Sequence, residues 1–178
     1  NCIFHSSSVE DLKLEEESMD FGFSLGVLHH TVDPLNGLKI CNKLLKKNSP
    51  FLLYLYYSFE NKPTWFKFLW KISNFLRLSI SIMPKQIKFL ITEIIALLIY
   101  FPLARIAKLF EKKFKFNVDN FPLSAYRNLS YYTMRTDSLD RFGTRIEKRF
   151  SKKEIDSMLI EAGFHKIKFS DKIPYWVV

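Results

Sequence analysis

The sequence contains few residues of the kinds that build metal sites, disulfide frameworks or glycine-rich turns. Only two of its 178 residues are cysteines, Cys2 and Cys41, and their spacing matches no metal-binding or redox motif. We expect both to be small buried apolar residues. Two cysteines without such a motif also fit a reducing cytoplasm. The five glycines are scattered, and none belongs to a GxGxG cluster. The sequence therefore predicts no metal centre and lacks a glycine-rich ligand-binding turn.

Long uncharged runs and acidic residues are also scarce. The most apolar stretch, residues 87–101, is interrupted by Lys88 and Glu93, so its uncharged run is shorter than the ~20 residues of a transmembrane helix. Lys and Arg outnumber Asp and Glu by 27 to 18, which gives a net charge of +9. Hydrophobic residues nevertheless make up 48% of the chain, which is enough for a folded core and argues against disorder.

Residues 18–57 have the pattern of a strand, a polar turn, a helix and a second strand. Residues 20–28 alternate small and apolar side chains, as in a short buried strand, and His29 and His30 follow directly. Residues 51–57 are apolar and aromatic and predict the next strand. Because α/β sheets bind ligands at the carboxyl ends of their strands, the two histidines are expected at a ligand edge.

The helix between these strands has a clear start. Asp33 is a favoured N-cap acceptor, and Pro34 suits the first helical position because its missing N–H would have no intrahelical partner. An apolar stripe with helical spacing follows, formed by Leu35, Leu38, Ile40, Cys41, Leu44 and Leu45. This order of elements predicts an α/β fold.

The same residues resemble the class I S-adenosylmethionine (SAM)-dependent methyltransferases, particularly the small-molecule group. The pattern of that group around its fourth strand and the following helix is met at ten positions: Asp20, Ser24, Gly26, Val27, Leu28, His30, Asp33, Pro34, Leu45 and Lys46. Residues 4–12 are similar to the family's third strand and the loop that meets the adenine of SAM. Lys47-Asn48-Ser49 replaces the usual Pro-Gly-Gly before strand five.

The resemblance implies SAM as cofactor and no metal. It places the cofactor contacts at Ser8, Val9 and Glu10 beside the adenine and at Ser24, Leu25 and Gly26 beneath it. His30 is the candidate catalytic base for a hydroxyl acceptor, since an imidazole has a reference pKa of ~6.5. Its alternative role is to hydrogen-bond the loop and fix the following helix.

The family's glycine-rich turn and ribose-binding acid have no counterpart in this sequence. The resemblance therefore implies a fragment that begins near strand three and, by itself, binds SAM weakly or not at all. The chain is expected to comprise a partial Rossmann-like domain at 1–62, a helical insertion at 63–132, and the C-terminal helix and strands at 133–178.

The C-terminal part continues the same resemblance. Ser151 and Glu154 form the pattern of a capping box, Gly163 ends the helix, and residues 164–169 alternate as a strand. Residues 174–178 predict a last strand that returns antiparallel, because residues 172–174 are too few for a parallel crossover. The expected sheet has strands at about 2–6, 20–27, 50–57, 164–169 and 174–178.

The insertion is expected to contain two apolar helices. Pro84 should end the first, and Pro102 should end or kink the second. Two interpretations stay open for residues 87–110: a lid over the substrate, or a helix in a membrane interface followed by a lysine cluster. That cluster is Lys108, Lys112, Lys113 and Lys115.

The acceptor is expected to be small or lipid-linked and to be methylated on oxygen or carbon. The candidate acceptor contacts are His29, Tyr56, Tyr57, Tyr131, Arg135 and Arg141. A solvated loop with ordinary Arg–Asp pairs explains the last three equally well. The location implied is cytoplasmic, with peripheral membrane contact as the second possibility.

The positive charge requires a rival hypothesis, a basic module that binds nucleic acid or a membrane surface without catalysis. Lys43, Lys46, Lys47 and the run Arg145–Lys153 are its phosphate-contact candidates. Against nucleic acid, the charge is spread over several elements. Residues 24–27 also lack the Asn/Asp-Pro-Pro-aromatic motif of enzymes that methylate base amino groups.

Overall fold

The computed structural model describes residues 3–60, 62–171 and 176–178. The chain forms two compact units: a sheet unit, Asn1–Glu60 with Ile146–Val178, and a helical unit, Asn61–Arg145. The expected boundary at 132 falls within the helical unit. The reason is that helix α5, Tyr131–Gly143, packs closely against the two long helices before it.

The sheet unit is built on three strands in the order β1-β2-β3. Strand β1, Gly22–Leu25, runs parallel to β2, Phe51–Leu55, and β3, Trp176–Val177, runs antiparallel to β2. This confirms the strands predicted within 20–27 and 50–57 and the antiparallel direction of the last strand. Residues 174 and 175 of that last prediction lie outside the described residues.

Two predicted strands are wrong in the described part of the chain. Residues 3–6 form no strand, and Phe4 is 92% exposed, so this segment has no sheet neighbour to pair with. Cys2, also in that prediction, is outside the described residues. Residues 164–169 form no strand either. The left-handed backbone of Lys166, with φ 58°, interrupts strand geometry in this segment.

Two helices cover one face of this sheet. Helix α1, Pro34–Leu44, begins as predicted, with the Asp33 side chain accepting a hydrogen bond from the Asn36 backbone N–H at 3.0 Å. Helix α6, Lys152–Glu161, begins with the predicted capping box of Ser151 and Glu154. Their apolar sides pack on the inner residues of β2 in a core formed by Leu28, Leu38, Leu53, Leu55, Ile155, Leu159 and Ala162.

The opposite face of the sheet is apolar and exposed. Side chains alternate across a strand, so Phe23 and Leu25 point away from the core that contains Leu53 and Leu55. Phe23 and Leu25 are both exposed, as are Phe21 and Leu52. The described residues therefore bury only one side of the sheet.

The helical unit contains α2, Thr64–Ser81, then α3, Lys85–Ile95, a π-helical segment, Ala96–Tyr100, and α4, Phe101–Phe114, before α5. Pro84 separates the first two helices, as predicted. The helix does not end at Pro102. That proline has no N–H and crowds the preceding turn, and the π-helical segment directly before it widens the helix there.

Candidate functional site

The carboxyl end of β1 turns sharply and delivers two histidines. Gly26 has a φ of 71°, a conformation that suits glycine, and its N–H donates to the Tyr54 carbonyl at 3.0 Å. A three-ten turn, Leu28–His30, follows, and Asp33 then starts α1. The turn chemistry at this strand end therefore fixes both imidazoles close to the carboxyl end of β2.

His29 is completely buried and stacks on Tyr56. The two rings are 3.7 Å apart at their centroids and inclined by 26°. Within the described part of the chain, neither ring nitrogen of His29 has a hydrogen-bond partner. Burial, and then the nearby His30 and Arg149, lower the pKa of His29 to about 3. The imidazole is therefore neutral at physiological pH.

His30 is held in one tautomer by the backbone. Its Nδ1 lies 2.7 Å from the carbonyl oxygen of Ile146, and because a carbonyl only accepts, Nδ1 is the protonated nitrogen. Nε2 is then the nitrogen that accepts a proton. The loop-fixing role and the role of a base use different nitrogens, and Nε2 is itself buried. Tyr56 lies edge-on to His30, with ring centroids 5.7 Å apart.

Residues 146–150 form a strap along the carboxyl ends of β1 and β2. The Lys148 N–H donates to the His29 carbonyl at 3.0 Å, and the Phe150 N–H donates to the Tyr56 carbonyl at 2.9 Å. Phe150 also forms a parallel bridge with Tyr57. The strap therefore ties the loop after β1 to the end of β2.

A buried ion pair accompanies this strap. The guanidinium of Arg149 lies 5.0 Å from the ring centroid of Tyr56 and 4.5 Å from that of Phe59. It also lies 2.9 Å from a carboxylate oxygen of Glu147, whose side chain has no exposure to solvent. The sequence marked Arg149 as part of the basic run Arg145–Lys153, and the role of Glu147 was missed. The available signal was a single acid within a run of basic residues.

The predicted cofactor contacts lie on two short segments. Val9–Asp11 form a three-ten turn in which the Ser8 hydroxyl donates to the Asp11 carboxylate at 2.7 Å. Val9 packs against the core of the sheet unit, whereas the side chain of Glu10 is exposed. This turn and the turn carrying the histidines both pack on α1.

Close packing at Gly37 explains how these turns approach α1. A Cβ at Gly37 would lie 2.8 Å from a methyl of Leu28 and 3.5 Å from a methyl of Val9. The second segment, Ser24–Gly26, is at the carboxyl end of β1 and leaves space, because a Cβ at Gly26 would meet only ordinary contacts at 3.9 Å. The two segments thus present an apolar and acidic turn beside a strand end of small residues. The methionine side of SAM has no glycine-rich turn in this sequence.

The remaining acceptor candidates are distributed over both units. In the sheet unit, Tyr57 is buried, with its ring 4.7 Å from that of Phe59. In the helical unit, the Tyr131 hydroxyl donates to Glu93 at 2.7 Å and Arg135 lies 3.6 Å from the same carboxylate. Arg141 donates to the Ser73 hydroxyl at 3.2 Å and lies over the Trp70 ring. Each of these three α5 side chains thus has a partner within its own unit.

The described residues contain no metal-binding cluster, and a cavity of the sheet unit lies away from the histidines. No group of three or more His, Cys, Asp or Glu side chains is arranged to hold a metal ion. A cavity of about 760 Å³ lies by the start of β2, near Pro50 and Phe51 and thus at the other end of the strand. Five lysines line it: Lys43, Lys46, Lys47, Lys166 and Lys168.

Comparison with known proteins gives one match. Residues 2–53, less than a third of the chain, match the sequence model of a family described as "Methyltransferase domain". The match includes the three-ten turn Val9–Asp11, strand β1, both histidines, α1 and the start of β2. No curated protein and no solved structure matches the chain.

Proposed function

We propose, from the match of residues 2–53 to the methyltransferase-domain family, that the chain is part of a class I SAM-dependent methyltransferase with a specific reaction. The protein transfers a methyl group to an oxygen or carbon atom of a small or lipid-linked acceptor. One observation carries the proposal: His29 and His30 of the matched segment converge on Tyr56, which lies just after that segment, at the carboxyl ends of two parallel strands. This is the edge at which α/β sheets bind ligands.

In methyl transfer the protein contributes mainly the alignment of the two reactants and the exclusion of water. Bound SAM supplies a methyl group activated by a sulfonium charge that disappears on transfer. Nε2 of His30 accepts the proton of a hydroxyl acceptor, while the Ile146 carbonyl keeps the opposite nitrogen protonated. The stacked rings of His29 and Tyr56 form an apolar wall beside it, which keeps water away.

On the cofactor side, the chain supplies half of a pocket. Val9 and Glu10 would contact the adenine, with the Glu10 carboxylate suited to its amino group, and Ser24 with Gly26 would form the floor. The expected result is that the 178-residue chain binds SAM weakly or not at all, whereas a protein that also carries the glycine-rich turn binds it. Isothermal titration calorimetry with SAM, on the 178-residue chain and on the protein that carries the glycine-rich turn, measures both affinities. Micromolar binding by the 178 residues alone would contradict this placement of the cofactor.

Histidine substitutions test the catalytic part. In the complete protein, His30→Gln should lower kcat for a hydroxyl acceptor by about 10²- to 10⁴-fold, with a smaller effect on KM, because it removes a base used only during transfer. His5→Gln, which changes an exposed histidine, is the control and should leave kcat unchanged. An unchanged kcat in His30→Gln would leave His30 with its loop-fixing role only.

The nucleic-acid alternative is less well supported by the same contacts. Two of its phosphate-contact candidates are already paired: Lys46 with Asp20 at 2.7 Å, and Arg149 with buried Glu147. Lys148 donates its ammonium to the Val32 carbonyl. A basic surface formed to bind phosphates would keep these side chains available.

A further inference from the structure

The long helices of the helical unit bury polar side chains beside a small apolar core and expose many of their large apolar side chains. That core is formed by Ile80, Tyr100, Ala104, Met134 and Phe142. In α2 the most buried side chains include Arg77, only 4% exposed, and Ser81. Arg77 donates to the Asn74 side chain at 2.8 Å and to the Thr144 carbonyl at 2.9 Å. The large apolar side chains of α2 are exposed instead: Trp65, Phe68, Leu69, Ile72, Phe75, Leu76 and Leu78.

Helix α3 has the same arrangement. Lys88 donates to the Gly143 carbonyl at 3.0 Å, and the carbonyl of buried Thr92 accepts from the Ser138 hydroxyl at 2.8 Å. These contacts turn the polar residues of α3 towards α5. Ile91, Ile95 and Tyr100 pack in the apolar core, but seven other apolar residues of α3 and the π-helical segment are exposed: Ile87, Phe89, Leu90, Ile94, Leu97, Leu98 and Ile99.

The amount of exposed apolar surface exceeds what a water-soluble helix pair presents. Isolated exposed hydrophobics are normal, but contiguous helical faces of this kind mark interaction sites. The continuous helix Lys85–Phe114 is long and apolar enough, by length and composition, to cross a membrane, and only 22% of its most apolar window is buried. The exposed apolar faces, with buried polar contacts on the side that faces α5, match helices that lie in a lipid interface.

Charge identifies the kind of partner. The helical unit, residues 61–145, carries 15 Lys and Arg against 5 Asp and Glu, a net charge of +10. The remaining residues carry 12 against 13, a net charge of −1. The whole positive charge of the protein therefore belongs to the unit with the exposed apolar faces. A second copy with the same charge would be repelled, whereas an anionic lipid surface would attract it.

We propose that the outward faces of α2 and α3 insert into the apolar layer of an anionic lipid bilayer, with both helices lying in the plane of the interface. A spanning arrangement is disfavoured because α5, packed on the inner side of α2 and α3, carries Arg135, Asp137, Asp140 and Arg141. The lysines that follow the apolar run contact lipid phosphates. This inference concerns binding alone and stands whether or not the protein methylates a lipid.

Vesicle flotation without SAM tests the inference. The full chain should float with vesicles of phosphatidylcholine and phosphatidylglycerol, and far less with phosphatidylcholine alone. The double variant Phe75→Ser/Leu90→Ser should bind about a hundredfold more weakly or worse, since each lost side chain removes apolar burial that is worth about tenfold or more. Ile160→Ser, at an exposed apolar position on α6 of the sheet unit, is the matched control and should bind as the original chain does.

A charge variant and a depth measurement complete the test. Lys112→Gln/Lys113→Gln should weaken binding about fivefold per charge, while Lys153→Gln on α6 should not. Brominated lipid should quench the fluorescence of Trp65, which is half-exposed on α2, and Trp65→Phe should lose that quenching. Circular dichroism of every variant checks folding.

Three results would overturn the inference. The first is a chain that stays unbound with anionic vesicles, and the second is equal binding by the chain and the Phe75→Ser/Leu90→Ser variant. The third is an oligomer, detected by light scattering, that this variant dissociates and that excludes vesicles, since the apolar faces would then bind a second copy. All three are independent of methyl transfer, so they leave the proposed reaction untouched.

Discussion

Acidification should destabilise this protein through His29. The imidazole is completely buried, stacks on Tyr56 and has a pKa of about 3 because charging it would require a buried cation next to Arg149. In the unfolded chain its pKa returns to about 6.5. Between these values the unfolded chain binds more protons than the folded protein, so the free energy of unfolding decreases as the pH falls from about 6.5 to about 3.

The size of the effect follows from the difference between the two pKa values. Over the whole range the loss reaches about 5 kcal/mol, and at about pH 5 it is about 2 kcal/mol relative to neutral pH. His29→Phe keeps a ring to stack on Tyr56 and cannot be protonated. It also removes two ring nitrogens that have no hydrogen-bond partner among the described residues, so little stability should be lost at neutral pH.

Urea denaturation followed by circular dichroism measures this at about pH 7.5 and about pH 5. The free energy of unfolding of the original chain should fall by about 2 kcal/mol more than that of His29→Phe. His165→Gln, which removes an exposed imidazole, is the control and should retain the pH dependence of the original chain. Equal pH dependence in the original chain and His29→Phe would refute the account of His29 as a buried neutral imidazole.

Two further substitutions test the sheet unit by urea denaturation at neutral pH. Glu147→Ala should lower the free energy of unfolding by about 3 kcal/mol, because it removes the buried carboxylate that pairs with the charge of Arg149. Glu161→Ala, which removes an exposed ion pair, should lower it by at most about 1 kcal/mol. A Glu147→Ala cost no larger than the Glu161→Ala cost would contradict the buried pair. Ser151→Ala should lower the free energy of unfolding by about 1 kcal/mol through loss of the α6 cap, and Ser157→Ala, at an exposed position of α6, should lower it much less. Equal effects of the two substitutions would contradict the capping box.

Local signals in the sequence determined the elements that were predicted correctly. The Asp33-Pro34 start of α1, the Ser151 and Glu154 capping box, and the break before Pro84 depend on residues close in sequence, so propensity and capping rules found them. The predictions that failed depend on distant partners. Residues 164–169 alternate like a strand, yet in the described residues β3 pairs with β2 and not with them.

The candidate site was predictable only in part for the same reason. The positions of His30 and Tyr56 follow from consecutive parallel strands, so their approach was expected from the sequence. The strap at residues 146–150 comes from far along the chain and contacts these residues through backbone hydrogen bonds, which side-chain patterns do not reveal. Likewise, the inward placement of Arg77 and Lys88 depends on the carbonyls of residues 144 and 143, which lie far along the chain. Composition does not reveal these contacts, so the sequence left the insertion open to two interpretations, a lid or a membrane contact.

The fate of a labelled methyl group tests the central claim most directly. The complete protein, incubated with methyl-labelled SAM and a cell extract that contains membranes, should transfer label to a small-molecule or lipid fraction, and His30→Gln should reduce that label about a hundredfold or more. Label found only in RNA or protein, or no transfer that depends on the enzyme, would contradict the proposed reaction.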